Sequence, residues 1–461
     1  MASALFPFTA AALTGGSSVC SDVERERQMS QNDATVAAAP GQPASHTRKM
    51  LWVLLLVYVL NFLDRQIVNI LAEPIARDLV LDDAAIGLLT GLAFALFYTF
   101  LGIPIARYAD KPTTNRVGLI SISLAVWSGM TVLCGMAQNF VQLLLARIGV
   151  GVGEAGCTPA AHSLITDAVE PAKRSSAIAF YGLGIPIGSL LGLIIGGFVN
   201  DLWGWRIAFM VVGVPGILLA AVLPLMIREV RHRGPATQTA GVSAPEFTAL
   251  GSLKEVFGTR AFVYIAIASS VTAFLGYGKG VWALILFQRS HGLSAGQTGL
   301  LLGVALGVAG IIGTWLGGYL ADRFGKVDRR HMLTTPAVGM AIAAPILFLG
   351  YWVGEWHVAI ALLFVPTILN AAYYGPTFAC VHGLVRPQAR AMASAVMLFL
   401  QNLIGLGLGP LLFGIASEML KPSVGVESVR YVLYGAAWLG LIPAFFFWRA
   451  SLRLNAELKS G

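Results

Sequence analysis

Residues Gly318-Tyr319-Leu320-Ala321-Asp322-Arg323-Phe324-Gly325-Lys326 connect two apolar stretches and form the most informative segment of the chain. A shorter copy, from Ala106 to Lys111, occurs 212 residues earlier, and its Ala109-Asp110-Lys111 aligns with Ala321-Asp322-Arg323. In both copies a small residue allows a tight exit from a helix, and the carboxylate can face a helix N-terminus or an arginine. The repeat indicates that the two halves of the chain share one fold.

Apolar stretches of roughly 20 residues, each long enough to cross a bilayer, follow one another from residue 50 onward. The first six are 50–72, 84–106, 117–137, 140–165, 176–199 and 207–227, and the second six are 261–288, 296–320, 332–351, 356–384, 391–415 and 429–449. We therefore predict an all-α membrane protein with twelve transmembrane helices in two six-helix halves. Two halves in the same orientation are typical of transporters that bind their substrate between the halves.

The composition agrees with lipid as the solvent. The 461 residues are 56% hydrophobic and only 12% charged, whereas soluble domains are roughly 25% charged. The four cysteines, Cys20, Cys134, Cys157 and Cys380, share no metal-ligand spacing. We interpret the last three as packing residues and predict neither a metal nor a cofactor.

The predicted organisation has five parts. They are a disordered cytoplasmic tail (1–48), an N-terminal six-helix half (49–227), a cytoplasmic linker (228–260), a C-terminal six-helix half (261–450) and a cytoplasmic tail (451–461). The first part is rich in Ala, Ser, Gln, Gly and Pro and shows no sustained hydrophobic period, which favours disorder.

The positions of the basic residues predict the orientation. Of the 31 lysines and arginines, 23 lie in segments on the same side as the two termini, 5 lie in the opposite loops and 3 lie inside helices. Because cytoplasmic loops carry the excess of Lys and Arg, both termini are expected in the cytoplasm. The formal charge of +8 is then a topology signal, and no nucleic-acid partner is expected. We expect an integral multi-pass protein of the bacterial inner (cell) membrane.

Three segments resemble a known family. Residues 318–326 resemble the loop signature Gly-x-x-x-Asp-Arg-x-Gly-Arg/Lys of the major facilitator superfamily, and the copy at Asp110 is degraded, with its next basic residue displaced to Arg116. Arg147-Ile148-Gly149-Val150-Gly151-Val152-Gly153-Glu154-Ala155 resembles the superfamily motif Arg-x-x-x-Gly-x-Gly, with a Glu added. Together with Asp64-Arg65 in the first helix, it resembles the Spinster branch. The resemblance covers residues 50–450.

The resemblance implies secondary transport by alternating access. Members of the Spinster branch export lysophospholipids or sphingosine-1-phosphate, or are orphan bacterial relatives. The aligned loops, with Asp110, Lys111, Asp322 and Arg323, are expected to act as gating latches on the cytoplasmic side.

Other function classes find little support. Gly151-Val152-Gly153-Glu154-Ala155-Gly156 matches Gly-x-Gly-x-x-Gly literally, but a dinucleotide site needs a preceding strand and a soluble βαβ unit. We find no P-loop, zinc-ligand cluster or convincing nucleophile set in the sequence. We therefore predict neither an enzyme nor an ATP-driven pump.

Asp64, Arg65, Arg147, Glu154 and Lys279 lie well inside apolar helices, where each charge costs at least ~3 kcal/mol. Asp64 and Glu154 are the candidate proton carriers, because a buried carboxylate can take up a proton when its arginine partner leaves. Arg65 is expected to hold a carboxylate and Arg147 to contact an anionic substrate. The alternative is that these residues are fixed ion pairs between helices 1 and 4. The sequence does not decide between Asp64 and Glu154.

Lys279 lies in helix 7 within Gly276-Tyr277-Gly278-Lys279-Gly280, and we predict that it contacts substrate; the alternative is that it snorkels to the outer interface. Asn370, Tyr373 and Tyr374 of helix 10 are candidate head-group contacts, with ordinary helix packing as the alternative.

We predict a secondary active, proton-coupled transporter of an amphipathic anion such as a lysolipid or sphingolipid phosphate. The alternatives are an organic-anion or carboxylate symporter and, less favoured, a non-transporting membrane sensor. The expected partners are the small-molecule or lysolipid substrate, protons and membrane lipids, and the protein is expected to be monomeric. Substrate identity, direction and stoichiometry stay open.

Overall fold

The computed structural model describes residues 44–229 and 249–458, and these residues are helical apart from short connections. The predictions for the rest of the two tails and of the linker lie outside the described residues. We number the membrane-crossing helices α1 to α12. They are α1 Ala44–Leu79, α2 Asp83–Ala109, α3 Arg116–Met136, α4 Phe140–Ala168, α5 Arg174–Trp203, α6 Trp205–Met226, α7 Arg260–Arg289, α8 Ala295–Gly325, α9 His331–Trp352, α10 Trp356–Leu384, α11 Arg390–Val424 and α12 Ser428–Glu457.

Eleven helical runs of the described residues are long and apolar enough to cross a membrane. The last run, Arg390–Glu457, has 68 residues, about 100 Å of helix, which is far more than one crossing needs. Gly425, with φ of 63°, ends α11, and a 3₁₀ turn at Gly425–Glu427 leads into α12. The run therefore contains two crossings, and the predicted all-α fold with twelve transmembrane helices is confirmed.

Several helices extend beyond the apolar stretches that predicted them. α1 begins at Ala44, inside the segment predicted as a tail, and α12 continues to Glu457. A separate helix, Ala249–Phe257, occupies part of the predicted linker. Helical hydrogen bonding continues past the hydrocarbon core because polar residues can extend a helix in water. The exact boundaries of the halves remain a prediction.

Two crossings contain π-helical segments, which are rare and often occur at functional sites. They are Leu88–Leu92 in α2 and Gln401–Leu408 in α11. The segments face each other, because a Cβ on Gly91 would lie only 2.7 Å from the carbonyl oxygen of Gly407. The two halves thus approach at this depth with no room for a side chain.

Buried apolar residues show how the halves are joined. We call the end of the bundle that holds Ala44 and Glu457 the termini end, and the opposite end the far end. One buried cluster runs from the N-terminal half into the far part of the C-terminal half, where it includes Trp282 and Phe287. A second cluster, which includes Phe262 and Phe447, belongs to the C-terminal half and lies toward the termini end. The halves therefore share a core near the far end.

Candidate functional site

A cavity of about 570 Å³ lies between the halves, lined by residues of α1, α2 and α7 to α12. Its polar lining residues are Gln66, Asn69, Thr90, Thr272, Tyr277, Lys279, Tyr351, Thr367, Asn370, Tyr373, Tyr374, Gln401 and Asn402. Lys279 is the single charged side chain among the described lining residues. The cavity therefore offers one cation surrounded by neutral amide and hydroxyl groups.

Lys279 faces the cavity because of its register on α7. Thr272, Gly276 and Lys279 fall on one face of the helix, and Thr272 Oγ1 lies 3.8 Å from the Met340 sulfur of α9. A Cβ on Gly276 or Gly280 would meet no atom within 4 Å. Lys279 forms no ion pair with any described residue. The structure thus places this cation at the cavity.

The remaining wall is largely apolar and comes from the C-terminal half. Residues at helical spacing on α9 form one stripe of it, with Met340, Ala344 and Leu347 leading to Tyr351. Further lining residues include Leu306, Leu363, Ala371, Leu398, Leu406, Ala437, Gly440 and Pro443. The cavity is therefore amphipathic, with polar groups beside an apolar wall.

The candidate residues of helix 10 reach the cavity. Asn370, Tyr373 and Tyr374 all line it, and 45% of Tyr374 is exposed. Their role in binding stays a prediction. Sequence reasoning missed four lining amides, Gln66, Asn69, Gln401 and Asn402. Their presence in otherwise apolar stretches is a signal that could have identified them.

The buried charges of helices α1 and α4 form a separate cluster inside the N-terminal half. Arg65 Nε donates to Glu154 Oε2 at 2.7 Å, and Glu154 is fully buried. The Arg65 guanidinium also lies over three rings, with its Cζ 4.4 Å from the centroid of Tyr98 and 5.0 Å from those of Phe62 and Phe94. The helical hydrogen bonding of α4 is interrupted just after Glu154.

The other two charges are arranged differently from the expectation that each carboxylate pairs with an arginine. Asp64 accepts a hydrogen bond from Thr131 Oγ1, and no described arginine lies within 4.0 Å of its carboxylate. Arg147 is only 2% exposed and is not among the lining residues of the cavity, so its contact with substrate stays a prediction. Its face of α4 packs inside the half, where Gly151 meets the backbone of Phe94.

Several buried polar atoms of this cluster have no hydrogen-bond partner among the described residues. They are both side-chain polar atoms of Asn61, Oδ1 of Asp64, Nε and Nη1 of Arg147, and Oε1 of Glu154. Each such atom costs ~1–3 kcal/mol if it stays unsatisfied. Buried polar atoms of this kind need an explanation, such as a bound water or ion or a functional role.

An ionic latch closes the far end. Arg289 Nη2 of α7 donates to Glu73 Oε2 of α1 at 2.7 Å, and its Nη1 lies 3.1 Å from Oδ1 of the fully buried Asp83 in α2. Asp83 also accepts from Ser417 Oγ and has Lys421 Nζ at 3.8 Å. All described hydrogen bonds and ion pairs between the halves lie toward this end.

The predicted gating residues at the termini end are not engaged across the halves. Asp110, Lys111, Asp322 and Arg323 are exposed, and Arg323 donates to Tyr319 of its own helix at 2.9 Å. Asp322 forms no ion pair with a described residue. Between the halves, the rings of Phe100 and Phe399 lie 5.7 Å apart. The predicted latch is therefore open here.

Two other groups secure the termini-end loops within each half. Arg116 is buried and binds Glu229 at 2.8 Å and Asp167 at 2.7 Å, which ties α3 and α4 to the end of α6. Asp328 accepts from the backbone N–H of Arg330 and from Asn455, and these hydrogen bonds lower the pKa of Asp328 to about 2. This carboxylate thus stays ionised at physiological pH and cannot act as a proton switch.

Comparisons with known proteins agree with this architecture. The family model described as Major Facilitator Superfamily matches residues 54–410. An MFS-type efflux pump of Mycolicibacterium smegmatis is 32% identical over 88% of this chain and 93% of its own length. The sphingosine-1-phosphate transporter SPNS2 of Danio rerio is 24% identical over 86% and 82%.

A solved structure is also similar. The crystal structure of a bacterial homolog of the human lysosomal transporter Spinster, in an inward-facing and unoccupied conformation, superposes with a TM-score of 0.83. It is 31% identical, and the match covers 91% of this chain and 99% of that chain.

Proposed function

Because this chain belongs to the Major Facilitator Superfamily, within its Spinster branch, we propose that it is a proton-coupled secondary transporter of an amphipathic anion such as a lysolipid. The observation that carries the proposal is the cavity. One cation, Lys279, lies among neutral amides beside an apolar wall of about ten residues. An anionic head group fits the first part and an alkyl chain fits the second, because charge-assisted hydrogen bonds and apolar burial favour different ends of one ligand.

The proposed transport cycle follows from the two ends of the bundle. The Arg289 latch holds the far end closed, whereas the Asp322 loop is disengaged at the termini end. The excess of Lys and Arg in the segments on the side of the termini supports a cytoplasmic location of that end. In this orientation the cavity is accessible from the cytoplasm, and transport requires release of the far-end latch and engagement of the termini-end loops.

The proposed proton site is the cluster around Glu154. Its Oε2 accepts from Arg65 and its Oε1 has no partner among the described residues. Protonation of Glu154 removes the anionic partner of Arg65, which then becomes available to an anion. Asp64, hydrogen-bonded to Thr131, is the second candidate. Substrate and proton affinities are thereby linked reciprocally.

A second candidate function is export of apolar compounds without an anionic group. The identity of 32% with a mycobacterial protein named as an efflux pump favours this candidate. Its substrates would use the apolar wall and not need Lys279. A carboxylate symporter is less well supported, because a compact soluble anion would leave that wall unused.

A ligand panel on the purified protein tests the proposal. Thermal stability is measured with lysophosphatidylglycerol, lysophosphatidylcholine, succinate, xylose and ethidium, and uptake of the stabilising compounds is then followed in proteoliposomes with and without a pH gradient. We expect lysophosphatidylglycerol to stabilise most and to be transported faster with the gradient. Stabilisation by ethidium alone favours the second candidate, and stabilisation by succinate or xylose alone contradicts the proposal.

A further inference from the structure

Helix α1 carries a polar residue at every fourth position in its central part: Asn61, Arg65, Asn69 and Glu73. Positions four apart are neighbours on a helix surface, so these residues form one slowly winding stripe. Each part of the stripe belongs to a different part of the machinery described above. Arg65 binds Glu154, Asn69 lines the cavity and Glu73 binds Arg289 in the far-end latch.

We propose that this stripe makes α1 the coupling element, and that Asn69 with Gln66 are positioning residues which transmit the state of the Arg65–Glu154 pair to the Glu73–Arg289 latch. Asn69 Nδ2 donates to Gln66 Oε1 at 3.0 Å, and both side chains line the cavity. Gln66 and Asn69 lie on α1 between Arg65, which binds Glu154, and Glu73, which binds Arg289. The inference rests on the proposed function for the identity of Glu154 as a proton site.

The middle of α1 is suited to transmit motion. The stripe lies before Pro74, so the helix is unbroken from Asn61 to Glu73. Pro74 has no N–H for the carbonyl of Ile70, and Gln288 of α7 donates to this carbonyl at 3.1 Å. The uninterrupted hydrogen bonding of α1 therefore ends next to Pro74, where the carbonyl of Ile70 is bound by the C-terminal half.

The back of α1 rests on glycines of α5. Gly184, Gly188, Gly192 and Gly196 meet Tyr58, Val59, Leu63 and Ile67 of α1 in close contact. A row of glycines lets the two helices approach closely, and Gln66 itself packs against Gly192 of this row. In the proposal, loss of the Arg65–Glu154 ion pair releases α1 at Arg65. The helix then shifts, and this shift moves Glu73 in the far-end latch.

A double-mutant cycle tests the transmission directly. Spin labels at Val80→Cys and Val426→Cys, two exposed far-end positions on opposite halves, report the far-end distance in a Cys20→Ser background. Glu154→Gln imitates protonation. We expect Glu154→Gln to raise the ratio of open to closed far-end conformations by about threefold or more. In the presence of Asn69→Ala, the same substitution should change that ratio little, with a factor close to one.

The matched control is Asn370→Ala, which removes a cavity amide that is not on α1; the effect of Glu154→Gln should persist in it. Should Glu154→Gln fold poorly, Arg65→Gln breaks the same ion pair from the other side. The inference is overturned if Glu154→Gln has the same effect on the far-end distance with and without Asn69→Ala, or if neither variant of the ion pair changes that distance. These measurements contain no lysolipid, so failure of the proposed substrate appears only in the transport assay.

Discussion

At the scale of single residues, the proposed ligand class depends most on Lys279. It is the single charge among the described lining residues and has no described anionic partner. A cation left without a partner beside an apolar wall is costly to the protein unless a ligand or water compensates it. The residue is therefore better explained by binding than by stability.

Substitution of Lys279 should change charge selectivity. Lys279→Gln removes a charge-assisted hydrogen bond worth ~1.5–3 kcal/mol, which raises the KM for lysophosphatidylglycerol by roughly tenfold to a hundredfold. Lys279→Arg keeps the charge and serves as the control, with a smaller change expected. Initial uptake rates in proteoliposomes measure both. Equal KM values for Lys279→Gln and wild type would place the anion site elsewhere.

Residue roles were only partly predictable from the sequence. The intramembrane charges could be identified because each is costly in lipid, and the Arg65–Glu154 ion pair occurs as one of the pairings they allowed. The orientation of Arg147 could not be predicted, because a helix period gives a shared face and not the neighbour that covers it. Gln66 and Asn69 carry no charge, and only their position in an otherwise apolar stretch could have marked them as cavity residues.

At the scale of helices, we predict that the loop between α8 and α9 acts as a gating latch. Asp322→Asn should reduce the transport rate by about tenfold, the equivalent of ~1.4 kcal/mol, while leaving Tm unchanged. The reason is that Asp322 is exposed and forms no ion pair with a described residue in this conformation. Asp110→Asn should act more weakly. Normal transport by stable Asp322→Asn protein contradicts the latch.

Near the far end, α2 and α11 approach so closely that the glycines of α2 in this contact have no room for a larger side chain. A Cβ on Gly87 would lie 2.5 Å from the carbonyl oxygen of Pro410. Gly87→Leu should therefore destabilise the closed far end by ~1–3 kcal/mol and raise the open population severalfold, as spin-label distances can show. Gly102→Leu on the same helix is the control, because a Cβ there meets nothing within 4 Å. An unchanged distance in Gly87→Leu excludes this close approach.

Helix positions were predictable, because apolar stretches of the required length are a strong signal. The π-helical segments Leu88–Leu92 and Gln401–Leu408 were not. The two segments face each other where α2 and α11 approach closely, and the α11 segment lies just before Pro410, which has no backbone N–H.

At the scale of the whole molecule, the orientation remains a prediction from charge. Both termini and the linker 228–260 should be cytoplasmic. An Ala240→Cys variant in a Cys20→Ser background should be protected from an impermeant thiol reagent in intact cells and react after permeabilisation. Labelling in intact cells would invert the orientation and, with it, the assignment of the open end.

The proposed cycle places two opposite gates around one cavity. The Arg289 ion pairs close the far end, and Arg65, the partner of the proposed proton site Glu154, lies on the same helix as Glu73. The two-half architecture was evident from the sequence repeat. The state of the gates was not, because one sequence encodes both conformations of a transporter.

The central claim is that an amphipathic anion and protons move together through this protein. The most direct test records lysophosphatidylglycerol flux and proton flux simultaneously in proteoliposomes, for wild type, Glu154→Gln and Asp64→Asn. We expect wild type to move protons only with the lysolipid, with a rate that depends on pH, and at least one variant to move lysolipid without protons and without that pH dependence. Proton-independent lysolipid flux in wild type, or unchanged coupling in both variants, would contradict the account.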